Sequence, residues 1–316
     1  MSIKINYPEV VCLLCMCVVI LNGCSEKKRL TATDSPKTGT IHISADESFK
    51  PVIDEEIKMY ESSFPGTKII ADYKPEADCF KDILNNPETR MIIVTRGLNS
   101  KEEKYFQDSL NYIPTWNDMA TDAIVVVVNA KSTDTVYTLR RLQEQLSGNY
   151  PIKKPVVFDG FKATSTVRYA IDSILKGKPF DTAVVKAVKN SRAVLDYVAS
   201  DVNAIGLVGI SWIGNPEDSV QVNMLKKVKM AYVECHNCGD SLYIKPTQLG
   251  ILTKKYPLVR GLYYILKENY TGLGTGFVNF LQFERGQLIF RRSYLGPTRM
   301  GFAVRTVNIN QKLKKE

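Results

Sequence analysis

The run Asp122-Ala123-Ile124-Val125-Val126-Val127-Val128 restricts the possible folds more than any other stretch of the chain. β-branched side chains pack well on a pleated surface, and a run with no polar alternation fits a strand covered on both faces. Such a strand needs helices or another layer on each side of its sheet, and the flanking sequence supplies them. Ile41-His42-Ile43 reads as a strand, with His42 as a satisfied core residue. Ser48-Phe49-Lys50-Pro51 reads as a helix start, with Ser48 as N-cap and Pro51 in the first turn. Ile53, Ile57, Tyr60 and Phe64 recur at helical spacing until Pro65-Gly66 ends the helix.

Lys68 to Ala71 gives a second strand, Ala77 to Leu84 a short helix, and Met91 to Val94 a third strand. Two more strand–helix units follow. One joins Pro155 to Phe158 with a helix from Thr166, and the other joins a helix around Val194 to Val198 with the strand Ala204 to Val208. In the last third, Leu258, Leu262 and Ile265 predict a helix over Pro257 to Lys267. Phe277, Phe280 and Leu281 predict another over Gly276 to Arg291. Strands alternating with helices indicate an α/β fold with largely parallel sheets. A chain of 316 residues, 44% hydrophobic and 24% charged, can bury a sizeable core and has room for about two domains.

The apolar run Val10 to Leu21 is too short to cross a bilayer, which takes about 20 residues. After Lys4, and closed by Leu21-Asn22-Gly23-Cys24, it reads as a secretory signal. The cysteine directly after Gly23 makes it similar to a bacterial lipoprotein signal. That similarity implies removal of residues 1–23 and lipidation of Cys24, with 24–39 as a polar tether. An uncleaved N-terminal anchor is the alternative.

Cys79, Cys235 and Cys238 then remain in the body of the protein. Cys235-His236-Asn237-Cys238 has redox or zinc spacing, but no second ligand pair follows to close a metal site. It lies between the strand-like run Val228 to Val233 and the turn signal Gly239-Asp240, where a disulfide-closed or reduced hairpin is the simplest reading. The net charge of +9 favours anionic partners: acidic membrane, nucleic acid or small oxyanions. The secretory signal and the lack of any nucleic-acid-binding motif argue against nucleic acid.

In α/β sheets, ligands bind beyond the carboxyl ends of strands, where helix starts present free backbone N–H groups. Three segments occupy such positions: Ser44 to Phe49, Val94-Thr95-Arg96-Gly97-Leu98, and the hydroxyl-rich stretch Asp159 to Arg168. Hydroxyls, amides and guanidinium groups together can replace the water around an oxyanion. Arg168 is informative, because a cation in the first turn of a helix is disfavoured by the dipole and a bound anion would offset that cost.

Taken together, these segments resemble the phosphate-type substrate-binding proteins of ABC importers, which have the type II periplasmic binding protein fold. The resemblance rests on Ser48-Phe49-Lys50-Pro51, Thr95-Arg96-Gly97-Leu98, Thr164-Ser165-Thr166-Val167-Arg168, Ala204 to Ser211, Tyr256 to Tyr263, Gly286-Gln287 and Gly296-Pro297, across nearly all of residues 40 to 300. It implies two α/β lobes, each a mainly parallel sheet flanked by helices, that close on one tetrahedral anion without chemistry. With Asp122 to Val128 as a crossover strand, lobe 1 covers 40–122 and 247–310, and lobe 2 covers 123–246. The implied phosphate ligands are Ser48, Phe49, Thr95 and Arg96 from the first lobe, and Thr164, Ser165, Thr166 and Arg168 from the second. The implied partners are inorganic phosphate or a similar oxyanion, an ABC permease, and a membrane reached through the lipid on Cys24. The implied protein is a monomer facing the periplasm where an outer membrane exists.

The chain departs from the pattern in two places. Ala163 and Ser165 replace glycines of the anion loop. Arg96 stands where many relatives carry a carboxylate that accepts a proton from phosphate, so Asp46, Glu47, Asp78 or Asp159 would have to take that part. No catalytic residues, metal site or cofactor site are expected. There is no G-x-S-x-G or H-E-x-x-H motif, and Gly272-Leu273-Gly274-Thr275-Gly276 lacks dinucleotide spacing and reads as a helix N-terminus. The competing readings are a thiol oxidoreductase using Cys235 and Cys238, and an anion sensor or structural lipoprotein on the same fold.

Overall fold

The computed structural model describes residues 34–160, 164–238 and 242–300. The signal, Cys24 and the first part of the tether lie outside the described residues. The strands are β1 (Gly39–Asp46), β2 (Thr67–Lys74), β3 (Thr89–Val94), β4 (Thr115–Asn129), β5 (Val136–Tyr137), β6 (Val156–Phe158) and β7 (Val185–Ala187). They continue as β8 (Ile205–Gly209), β9 (Val228–Met230), β10 (Tyr232–Glu234), β11 (Tyr243–Ile244), β12 (Val259–Leu266) and β13 (Gly296–Pro297).

Hydrogen bonding runs through the order β2-β1-β3-β12-β4-β8-β6-β7, with β9 and β13 also paired to β4. The outer strands are parallel: β1 with β2 and β3, and β6 with β7 and β8. The centre is antiparallel. β4 is the strand on which the sheet turns: Thr115 to Ala123 pair with β12, whereas Ile124 to Val128 pair with β8. One strand therefore belongs to two wings of the sheet. Its residues Ala123 to Val128 are all buried, as the unbroken β-branched run requires.

The remaining strand readings coincide with β1, β2, β3, β6 and β8, with Pro155 and Ala204 lying one residue ahead of β6 and β8, and the helix from Pro51 is Lys50–Ser63. Five local expectations need correction. Pro257 to Lys267 is not a helix but the strand β12, seated between β3 and β4. Its apolar residues fit either period, and the two open ladder edges beside it decide the outcome. Gly276 to Arg291 holds two helices, Leu273–Gln282 and Glu284–Arg292, which break at the extended Phe283. Gly286 permits the break because a Cβ there would collide with the carbonyl of Phe280, and Gln287 donates to the freed carbonyl of Leu281 at 2.7 Å.

Ser48 is not an N-cap. Asp46 caps the short turn Glu47–Phe49 instead, and Ser48 Oγ donates to its Oδ1 at 2.6 Å. Val228 to Val233 splits into β9 and β10, which serve different sheets. β10 pairs with β5 and β11 in a separate three-stranded sheet. His42 lies in β1 as expected, but half-buried rather than in the core. Cys235 and Cys238 form a disulfide that closes the turn between β10 and β11, and Cys79 is buried and free. Among the described residues no helix is long and apolar enough to cross a membrane.

Candidate anion-binding site

The parallel strands β1 and β6 end on opposite sides of the seam made by β4 and β12. β1 delivers Asp46 and then Ser48 and Phe49, and β6 delivers Asp159 and then Thr164 to Arg168. The two wings meet where Ser48 Oγ lies 3.2 Å from Ser165 Oγ. Ser211, just after β8, ties the same junction by donating to the carbonyl of Ser48 at 2.8 Å. Ser191, from the second wing, donates to Glu47 at 2.7 Å.

At the floor of this junction is Arg260 of β12. Its Nε donates to Asp122 Oδ2 and its Nη1 to Ser165 Oγ, each at 2.7 Å. The guanidinium lies 5.0 Å from the centre of the Phe49 ring, so Phe49 supports the cation with a face that offers it no competing charge. Gly209 leaves the room this requires, since a Cβ there would come within 3.1 Å of the Ser48 carbonyl and 3.3 Å of Arg260 Nη2.

Four buried polar atoms of this cluster have no hydrogen-bond partner among the described residues: Arg260 Nη2, Asp46 Oδ2, Asp122 Oδ1 and Asp159 Oδ1. Orphaned polar atoms are costly in a protein interior, and a cluster of them at one point calls for a ligand or water. The electrostatics are uneven. Burial raises the carboxyls of Asp46 and Asp122 above the usual range, although the Arg260 charge pulls both the other way. Burial and the charge of Asp46 push Asp159 up to about 6, and burial pushes Glu47 up to about 7 despite its bonds from Ser191. A site of this kind can accept protons as well as donate them. No group of three or more His, Cys, Asp or Glu among the described residues is arranged to hold a metal.

The eight expected ligand residues separate into four groups. Ser48, Phe49 and Ser165 meet at Arg260. Thr164 and Thr166 stand beside them: Thr164 caps the helix Ser165–Tyr169, and Thr166 Oγ1 is 3.4 Å from Asp159 Oδ2. Thr95 and Arg168 are brought together, but on Glu76. Arg168 Nε donates to Glu76 Oε2 at 2.7 Å, and Thr95 N and Oγ1 donate to Oε1 at 2.8 and 2.5 Å. The charge that compensates Arg168 here is therefore a protein carboxylate. Arg96 is turned elsewhere. It makes two 2.8 Å bonds to Glu102 in the capping box of the helix Ser100–Leu110, and it stacks 3.6 Å above the Phe80 ring centre. Asp78 forms an exposed pair with Lys81 at 2.6 Å.

Sequence reasoning missed Arg260, Asp122 and Glu76. The available signal for Arg260 was a single charge on the inward face of a strand-like run, which the helical reading concealed.

The PBP superfamily domain model matches residues 30–284. A phosphate ABC transporter substrate-binding protein described from Clostridium perfringens, solved with bound phosphate, shares the fold with a TM-score of 0.65 at 18% identity. That match covers 82% of this chain and 100% of the other. An ABC-type phosphate transport receptor from Vibrio cholerae gives 0.57 at 17% identity, over 82% and 100% of the two chains. A phosphate binding protein described from Planctomyces limnophilus gives 0.54 at 19% identity, over 82% and 93%. No curated protein matches the sequence. With a family model spanning most of its length and two strand-sharing wings that meet at a buried polar junction, the chain belongs to the PBP superfamily and has the type II periplasmic binding protein fold.

Proposed function

We propose that the protein is an extracytoplasmic solute-binding protein that captures a tetrahedral oxyanion, phosphate, and presents it to an ABC permease. In this reading the two wings are lobes, 40–122 with 247–310 and 123–246, and the ligand lies between them at the Ser48–Ser165–Arg260 junction. Cys24 carries the lipid that holds the protein at the membrane. Residues after it serve as a tether, and Asp34 ends the slack by pairing with Arg90. The solved proteins of the same fold, described as phosphate binders, agree with this reading.

The observation that carries it is the set of orphaned atoms at the junction. Arg260 Nη2 is a charged donor for an oxyanion, while Asp46 Oδ2 and Asp159 Oδ1 are acceptors for a proton on that anion. Phosphate at neutral pH has both kinds of oxygen, whereas sulfate has no proton to give. The two wings supply the contacts jointly, so the anion binds the closed arrangement better than an open one, as ligand-driven closure requires.

Scanning calorimetry with phosphate and with sulfate tests the reading. Phosphate at 100 times its Kd should add about 2.7 kcal/mol of stability, with sulfate far behind. Unfolding temperatures that respond to neither anion would remove the phosphate reading.

A further inference from the structure

The donors of Thr95 and Arg168 already surround an anion, and that anion is Glu76. Its carboxylate accepts from Thr95 N, Thr95 Oγ1, Arg168 Nε at 2.7 Å and Arg168 Nη2 at 3.3 Å. Arg168 Nη2 also donates to Thr95 Oγ1 at 2.6 Å, which completes the ring. The donors come from opposite wings, Thr95 after β3 and Arg168 after β6. Such a backbone amide, hydroxyl and forked guanidinium set is what a dehydrated oxyanion needs. Glu76 is 4% exposed at its side chain, and it is close enough to the junction for its charge to act on Asp46. Burial would raise its carboxyl, but the bonds from Arg168 and Thr95 outweigh that and hold it below the usual range.

We propose that Thr95 and Arg168 form an oxyanion subsite whose resident occupant is Glu76, a tethered carboxylate that competes with dissolved anion for these donors. The inference rests on the phosphate reading of the neighbouring junction. An anion at Ser48, Ser165 and Arg260 gains Thr95 and Arg168 only by displacing Glu76, so this residue lowers the affinity of the site. A carboxylate offers two equivalent oxygens in a plane, as one edge of a phosphate does, and the subsite accepts either class. If Glu76 were only a clasp between the wings, its loss would loosen closure and weaken binding. The two roles therefore predict opposite signs.

Isothermal titration of the full-length protein with inorganic phosphate separates them. Glu76→Ala should tighten binding about tenfold or more, the scale of one charge-assisted hydrogen bond regained by the ligand. Arg168→Ala should change affinity less than about threefold in the wild-type background and weaken it about tenfold or more in the Glu76→Ala background. Sodium acetate should compete with phosphate in Glu76→Ala and not in the wild type. If Glu76→Ala melts too low to titrate, Glu76→Gln replaces it, because it keeps one acceptor oxygen and removes the charge, and it too should bind more tightly. Affinity in these variants equal to or below that of the wild type would overturn the inference while leaving the phosphate reading intact. An equal cost of Arg168→Ala in both backgrounds would do the same. Phosphate binding to none of the proteins would overturn both.

Discussion

Arg260 and Asp122 stand directly opposite each other in the antiparallel ladder of β12 and β4, joined by a 2.7 Å bond from Nε to Oδ2. Their side chains are 4% and 0% exposed. The pair lies next to Ala123, after which β4 leaves β12 for β8, so the buried cation is fixed at the point shared by both wings. A buried ion pair is weak evidence for stability in itself, because desolvating two charges offsets their attraction. Its position in a ligand-type cluster suggests a functional reason for keeping it.

Arg260→Ala leaves Asp122 buried without its partner and should cost about 3–5 kcal/mol. Urea unfolding measures this. The double variant Arg260→Met with Asp122→Leu should recover much of the stability and yet bind no phosphate. Recovery of stability together with wild-type affinity would show that Arg260 serves the fold alone.

Ser165→Ala removes a hydroxyl that meets both Ser48 and Arg260. The loss of one such bond is worth about 0.5–1.5 kcal/mol, and phosphate affinity should fall by about threefold to tenfold. Calorimetric titration reads the change directly, and a circular dichroism melt checks that the helix Ser165–Tyr169 still has its Thr164 cap.

Glu47 should make the stability of the protein depend on pH. Its folded pKa is raised by burial from the ordinary 4.5 to about 7. A carboxyl raised on folding stabilises the native state below its unfolded pKa, and that contribution is lost as pH rises through the folded value. Glu47→Gln keeps an acceptor for Ser191 without the charge. Its unfolding temperature relative to wild type should therefore rise steadily from pH 5 to pH 8. A constant difference over that range would contradict the assignment.

The Cys235–Cys238 disulfide closes a very short loop, for which chain-entropy arguments allow about 2 kcal/mol. The Cys235→Ser, Cys238→Ser variant, or wild type in dithiothreitol, should melt a few degrees lower with unchanged phosphate affinity. Loss of binding on reduction would tie the hairpin to the site and revive a thiol-based function.

The α/β class, the buried course of β4 and the placement of most outer strands are legible in the residues. These follow from local period and β-branched composition, which act over a few residues. The residue pattern also marked the three loops that bear Ser48, Thr95 and Ser165, because hydroxyls at strand ends before a helix serve as helix caps or as donors to a ligand. Tertiary structure alone decided which donors face an open position. β12 is a strand because β3 and β4 offer it two ladder edges, and only that pairing sets Arg260 against Asp122. Arg96 and Arg168 look equivalent in sequence, yet one is taken by Glu102 on its own wing and the other by Glu76 across the junction. The partner of a charge is set by which segments the topology brings within about 4 Å, and no local pattern encodes that distance.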